Sequence, residues 1–269
     1  MKICSDFAEI IPIEQEWNGK LHKFDQDSSP KAWEMYSKYY NNFDALKNPS
    51  LNKNRLISVA TERNINFKVA GDCSFNFNPI KEKCFKSIIG DNQNVLDQLA
   101  ECCKMHHSLY NFDLMPVTGG LNNMKGKLKY GGKNKIVKVH MSRNAPKNGH
   151  LDRLDTYIYF LDFSMSRMKE LKDCRDLKMI GEFYNNSIFT FSMNTENFSL
   201  LYEIIGNYSS IYSYCETFYN LKDKKFIDKL ITNGGKPIET VEDVKNYMDL
   251  ANEFWRIKKQ FLENKGCIS

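Results

Sequence analysis

The chain has 269 residues, 42% of them apolar and 26% charged, with a formal net charge of +5. The apolar share suffices for a sizeable buried core, and the charged share is that expected of a globular protein. No apolar run reaches the about 18 residues of a transmembrane helix, so no membrane partner is expected.

Ser29-Pro30 predicts the first helix, because serine suits the N-cap and proline the first helical position. Trp33, Tyr36, Tyr40 and Phe43 follow at helical spacing, and Asn48-Pro49 should end the run. A strand-rich region comes next. Ile65, Phe67 and Val69 alternate with polar residues, as do Phe75 and Phe77, with Gly71-Asp72 read as the hairpin turn between them and Pro79 ending the pattern. Residues 92–110 read as a helix with the stripe Val95, Leu99, Cys102, His106 and Leu109. Phe112 to Val117 reads as a strand.

Leu114 to Leu151 contains no Asp or Glu but eight Lys or Arg. Its formal charge is therefore +8, and the rest of the chain carries −3 by difference. Six of the fourteen glycines fall here, including Gly119-Gly120 and Gly131-Gly132. Leu128 and Tyr130 alternate with Lys127 and Lys129, and Val137, Val139 and Met141 with Ile136, Lys138 and His140, on either side of the turn chemistry of Gly131-Gly132-Lys133-Asn134. The stretch therefore predicts a basic two-stranded ribbon.

Beyond it the chain reads as mainly helical. One helix should span about Asp152 to Lys172, with Leu154, Ile158, Leu161, Met165 and Met168 on its apolar face. Ile188 to Met193 is a candidate strand. A long helix should run from Glu196 to Tyr219 and a shorter one from Lys224 to Ile231, with Lys222, Lys224 and Lys225 on a solvated face. Asn233-Gly234-Gly235 breaks the pattern, and Thr240 caps a last helix with stripe Val241, Val244, Met248, Ala251, Trp255 and Leu262. The expected class is α+β, a single domain over 1–269, with strands and hairpins mostly in the N-terminal half and helices mostly in the C-terminal half.

The N-terminus lacks a signal peptide's apolar core, and none of the eight cysteines stands in a Cys-x-x-Cys pair. Free thiols in a reducing cytoplasm follow as the expectation.

Four segments are candidates for chemistry. Thr118-Gly119-Gly120 with Asn122, Asn123 and Lys125 offers close backbone approach, neutral donors and one charge, as a phosphate or nucleotide needs. It matches neither the P-loop nor the dinucleotide spacing, and a tight turn between two strands, with the asparagines in left-handed conformations, is the favoured explanation. Arg143 followed by Asp152, Arg153 and Asp155 concentrates charge at a helix start. Asp152 and Asp155 resemble a capping box, which accounts for both without chemistry; alternatively one is a general base, a metal ligand or an arginine partner. Cys102 with His106, and Cys103 with His107, share helical faces at i,i+4. A closed zinc site needs about four ligands and no second pair is visible, so no metal is expected and the pair is read as core. The aromatic stripe from Phe198 to Tyr219 is likewise read as core. No nucleophile elbow, His-Glu-x-x-His motif or kinase set occurs.

Three segments together resemble an uncharacterised bacterial family of similar length. They are Asp27-Ser28-Ser29-Pro30, then Met115 to Asn123 leading to Lys125-Gly126, then Ser142-Arg143-Asn144 with Leu151-Asp152-Arg153-Leu154-Asp155. Leu154 stands where that family is expected to have Phe, and Asn144 where it is expected to have Gly. The expected source is a bacterium, a phage or a mobile element. The resemblance brings Arg143, Asp152, Arg153 and Asp155 forward; no activity follows from it, and the cofactor stays unknown.

The functional expectation is binding of a phosphate-bearing ligand, nucleic acid or nucleotide, at 118–153. Lys125, Lys127, Lys129 and Lys138 would supply phosphate attraction. Thr118, Gly119, Gly120, Asn122 and Asn123 would position the ligand, and Arg143 or Arg153 would make the directed contact. The alternatives are an enzyme acting on nucleic acid or a nucleotide with Asp152 or Asp155 catalytic, and a module docking an acidic partner through the basic hairpin.

Overall fold

The computed structural model describes residues 9–39, 57–60, 66–117, 129–130, 133–134, 154–168, 208–236 and 238–266. The chain packs as two compact units. The first comprises Met1–Pro116 with Glu239–Ser269, and the second Val117–Ile238. The architecture is α+β, with antiparallel strands in the N-terminal half and helices dominating the C-terminal half.

The first unit opens on a hairpin of β1 (Glu14–Trp17) and β2 (Lys20–Lys23), paired from Glu14↔Lys23 to Trp17↔Lys20. Asn18 and Gly19 form its two-residue turn with φ of 51° and 73°, the left-handed conformation that Asn-Gly tolerates and hairpin twist requires. Helix α1 (Pro30–Tyr39) starts as expected: the Ser29 hydroxyl accepts from Ala32 N at 3.3 Å. Strands β3 (Ile57–Ala60), β4 (Asn66–Cys73) and β5 (Phe112–Val117) form one sheet in that order, with β3 and β4 antiparallel.

Gly71 is no turn. It lies within β4, where a Cβ would meet the Asp27 carbonyl oxygen at 2.0 Å. Glycine is used here for close approach of a neighbouring backbone, not for reversal. Pro79 likewise opens an element that the sequence reading passed over. It is the first residue of α2 (Pro79–Ile89), whose N-cap Asn78 accepts from Lys81 N at 2.9 Å.

Helix α3 (Gln93–Lys104) is shorter than the predicted 92–110. Met105 caps it with its amide on the Cys102 and Cys103 carbonyls, and the chain turns through His106 and His107 into a short 3-10 helix at Leu109–Asn111. Helix α7 (Val241–Asn264; α4–α6 belong to the second unit) begins with the expected Thr240 cap, closed as a capping box by Asp243. Its buried residues recur at three and four positions, Val244, Tyr247, Met248, Ala251, Phe254, Trp255, Lys258 and Leu262. They meet Phe75, Phe77 and Phe85, with the Phe77 and Tyr247 rings 5.2 Å apart.

In the second unit β6 (Lys129–Tyr130) pairs with β7 (Lys133–Asn134), register Lys129↔Asn134 and Tyr130↔Lys133. Helix α4 (Leu154–Met168) buries Leu154, Ile158, Leu161 and Met165, four of its five predicted apolar-face residues. Helix α5 (Ile211–Tyr219) starts later than expected, because Ser210 and Ser213 close a capping box that begins the helix there. Residues 196–207 of that prediction, and the strand at 188–193, lie outside the described residues. Helix α6 (Lys224–Gly234) is capped by Asp223, and Lys222, Lys224 and Lys225 are exposed as expected.

Candidate functional site

Of the predicted ligand residues, Thr118, Gly119, Gly120, Asn122, Asn123, Lys125, Lys127, Lys138, Arg143, Asp152 and Arg153 lie outside the described residues. Lys129 stands in β6, paired with Asn134 across the ribbon. Asp155 is the second residue of α4, in the helix's first turn, where a carboxylate complements the N-terminal dipole. It is fully buried and accepts from Asn233 Nδ2 of α6 at 2.7 Å. The bond ties the start of one helix to the end of another.

A different cluster forms in the first unit, around the turn after α3. Cys73 at the end of β4, His106 and His107 bring Sγ and one ring nitrogen from each imidazole within 4.8 Å of one another. The imidazole rings lie 4.4 Å apart, inclined by 46°. Cys73 donates its thiol hydrogen to the His106 carbonyl at 3.3 Å. His106 is 8% exposed, and its Nδ1, like that of His107, is buried without a hydrogen-bond partner. His107 is only half-buried, so the cluster has one side toward solvent.

The backbone of this turn is held from three sides. Ile11 N bonds the His107 carbonyl at 3.0 Å, and Leu109 N bonds Glu9 O at 3.1 Å. Asn111, fully buried, uses its whole amide. Its Nδ2 donates to the carbonyls of His106 (2.9 Å) and Phe75 (2.8 Å), and its Oδ1 accepts from Phe75 N and Trp255 Nε1, both at 2.9 Å. A fully satisfied buried amide of this kind specifies one geometry, since no rotated alternative keeps all four bonds.

Electrostatics favour neutral rings. Burial, then the neighbouring His107, push the His106 pKa down to about 4 against a smaller opposing effect from the Phe75 backbone. Burial lowers His107 as well, partly countered by Asp25. At neutral pH both rings therefore keep a lone pair.

The i,i+4 reading of Cys102-Cys103 with His106-His107 does not survive, because the helix ends at Lys104 before either histidine. The Cys102 thiol instead sits 3.8 Å from Asn252 Nδ2 of α7. Cys103 faces Glu82 and Lys86, and burial pushes its thiol up to about 12. Sequence reasoning missed Cys73 as a neighbour, and the only signal for it was its place at the end of an alternating apolar strand.

No family model, no curated protein and no solved structure matches this chain.

Proposed function

We propose that the protein binds a phosphate-bearing ligand, nucleic acid or nucleotide, through the basic segment 118–153. The supporting observation is the antiparallel pairing of Lys129–Tyr130 with Lys133–Asn134 inside a stretch of 38 residues that lacks any carboxylate. Lysines carried on such a ribbon would supply cations to a phosphate backbone. Thr118, Gly119, Gly120, Asn122 and Asn123 are read as positioning the ligand, with Arg143 or Arg153 making a forked contact to phosphate oxygens. The enzymatic alternative loses part of its ground, because the Asp155 carboxylate already has a buried partner in Asn233. Binding is therefore the preferred reading.

Fluorescence anisotropy with a labelled single-stranded oligonucleotide, a duplex and a labelled ATP tests this between 50 and 200 mM salt, about the range over which phosphate contacts weaken steeply. The expected result is nucleic-acid affinity that falls with salt, with a slope reduced by roughly 1 for each of Lys127→Ala and Lys129→Ala. Tight ATP binding with little salt dependence would identify a mononucleotide ligand. Binding of neither overturns the proposal in favour of an acidic protein partner.

A further inference from the structure

The geometry points to a zinc site made by Cys73 Sγ and one ring nitrogen each from His106 and His107, with the fourth position open to solvent. This is independent of the phosphate-ligand reading, which concerns the other unit of the chain. It replaces the expectation of no metal, which rested on the lack of a second ligand pair in sequence. The third ligand comes from a strand over thirty residues earlier, and the turn delivers both histidines together.

Three observations carry it. The first is convergence. Three donor atoms of the types zinc prefers lie within 4.8 Å of one another. Tetrahedral bonds to sulfur and nitrogen require separations of about 3.3–3.6 Å, a contraction that side-chain rotation can supply. No other group of three His, Cys, Asp or Glu donors among the described residues converges in this way. The second is the orphaned His106 Nδ1. A buried ring nitrogen without a partner costs about 1–3 kcal/mol unless something fills the position beside it. His106 is buried to more than nine-tenths, and its unpartnered nitrogen belongs to the ring that meets Cys73 and His107. The third is outer support. Metal-binding histidines are usually fixed by hydrogen bonds behind them. Here the Phe75 backbone does this for the His106 ring, while Asn111 and Ile11 fix the main chain that carries both rings through the His106 and His107 carbonyls.

The donor set selects the ion. One thiolate and two neutral imidazoles suit zinc, whereas calcium and magnesium demand oxygen ligands. Binding is balanced as follows. The Cys73 S–H bond breaks, its proton passes to solvent, and the thiol gives up its hydrogen bond to the His106 carbonyl as the thiolate bonds the ion. Each imidazole bonds the ion through the lone pair of one ring nitrogen and keeps the N–H on the other. One proton is released per ion bound, so affinity rises with pH. Half-buried His107 marks the entry side, and three protein ligands with one open position is the arrangement in which a zinc-bound water remains exchangeable.

The test uses full-length protein purified without an affinity metal and titrated with Co²⁺ as a spectroscopic stand-in, then with Zn²⁺ in competition. We expect one equivalent to bind, with visible bands of a four-coordinate site and a thiolate-to-cobalt charge-transfer band. Zinc should displace the cobalt and raise the wild-type melting temperature. Cys73→Ser should abolish the charge-transfer band. His107→Gln, at the half-exposed position least able to disturb folding, should weaken zinc binding by at least about tenfold. Cys103→Ser should leave both unchanged. Absence of a stoichiometric cobalt signal in folded wild type overturns the assignment. So does a signal that survives Cys73→Ser and His107→Gln, or one lost in Cys103→Ser instead.

Discussion

The two units hold themselves together by different physics. In the first, polar groups from distant parts of the chain are buried and joined to one helix. Lys258 of α7 is 1% exposed and pairs at 2.6 Å with Asp113, which is fully buried. The same ammonium donates to the Phe112 carbonyl and lies 4.8 Å from the centre of the Tyr39 ring. The other Asp113 oxygen accepts from Ser74 Oγ at 2.6 Å, and Tyr247 of α7 accepts from Asn76 N at 2.8 Å. In the described part of the second unit, helices α4, α5 and α6 pack mainly through aromatic rings, and the buried Asp155 carboxylate joining α4 to α6 meets a neutral amide, Asn233. Tyr157 and Tyr214 meet hydroxyl to hydroxyl at 3.0 Å, and Tyr214 stacks on Phe218. Burial pushes the ionisation of both tyrosines far above its usual range, so the pair stays neutral. A buried ion pair makes the first arrangement specific and fragile; without a buried cation to satisfy among its described residues, the second is the more tolerant.

Breaking the charged pair should have the largest effect. Burial drives the Lys258 pKa downward while Asp113 holds it up. Lys258→Met leaves a carboxylate buried without its cation and should cost about 3–5 kcal/mol in urea unfolding. Asp113→Asn in that background should restore part of the loss, with a coupling of roughly 0.5–3 kcal/mol. Equal and additive losses would show that the pair is not a unit.

Backbone approach separates the units next. Gly71→Ala drives a Cβ into the Asp27 carbonyl, which also accepts from Tyr36 OH at 2.9 Å, and neither side is free to retreat. We expect a loss near the upper end of about 1–3 kcal/mol. Gly235→Ala in the second unit meets the side of the Tyr159 ring at 2.6 Å, and a half-buried ring can turn aside. Its loss should be clearly smaller in the same denaturant series. The reverse order would mean that the second unit is the more rigid.

Tyr157→Phe should be milder. It leaves one buried hydroxyl, that of Tyr214, without its partner and should cost about 1 kcal/mol or slightly more. Tyr157→Phe with Tyr214→Phe should return close to wild type, since two apolar rings replace a satisfied pair. A double variant as unstable as the charged-pair variants would remove the contrast between the units. Smallest of all, Tyr212→Phe deletes an exposed bond to Asp228 and should shift stability by under about 0.5 kcal/mol.

Helix starts were the most legible features, because a cap is a local event. Ser29-Pro30 and Thr240 were read correctly from a few residues each. Asn18-Gly19 and Asn78-Pro79 carry equally local signals, a hairpin turn and a helix cap, that alternation alone does not bring out. Helix ends were poorly read. The apolar stripe runs on through His106 and Leu109, yet α3 stops at Lys104, since a turn and a 3-10 segment keep those side chains inward without helical backbone. Gly71 misled because the same residue type serves reversal and close approach, and only the neighbour decides between them.

By itself the amino-acid sequence determined the α+β class, the acid-free basic stretch and the buried faces of α4 and α7, because periodicity and charge are properties of neighbouring residues. Only the tertiary structure decided that Lys258 lies inside with Asp113, that Asp155 answers to Asn233, and that Cys73 stands beside His106 and His107. Each of these joins residues remote in sequence. No spacing rule links such pairs; they exist because a buried charge or donor is stable only where the fold brings it a partner.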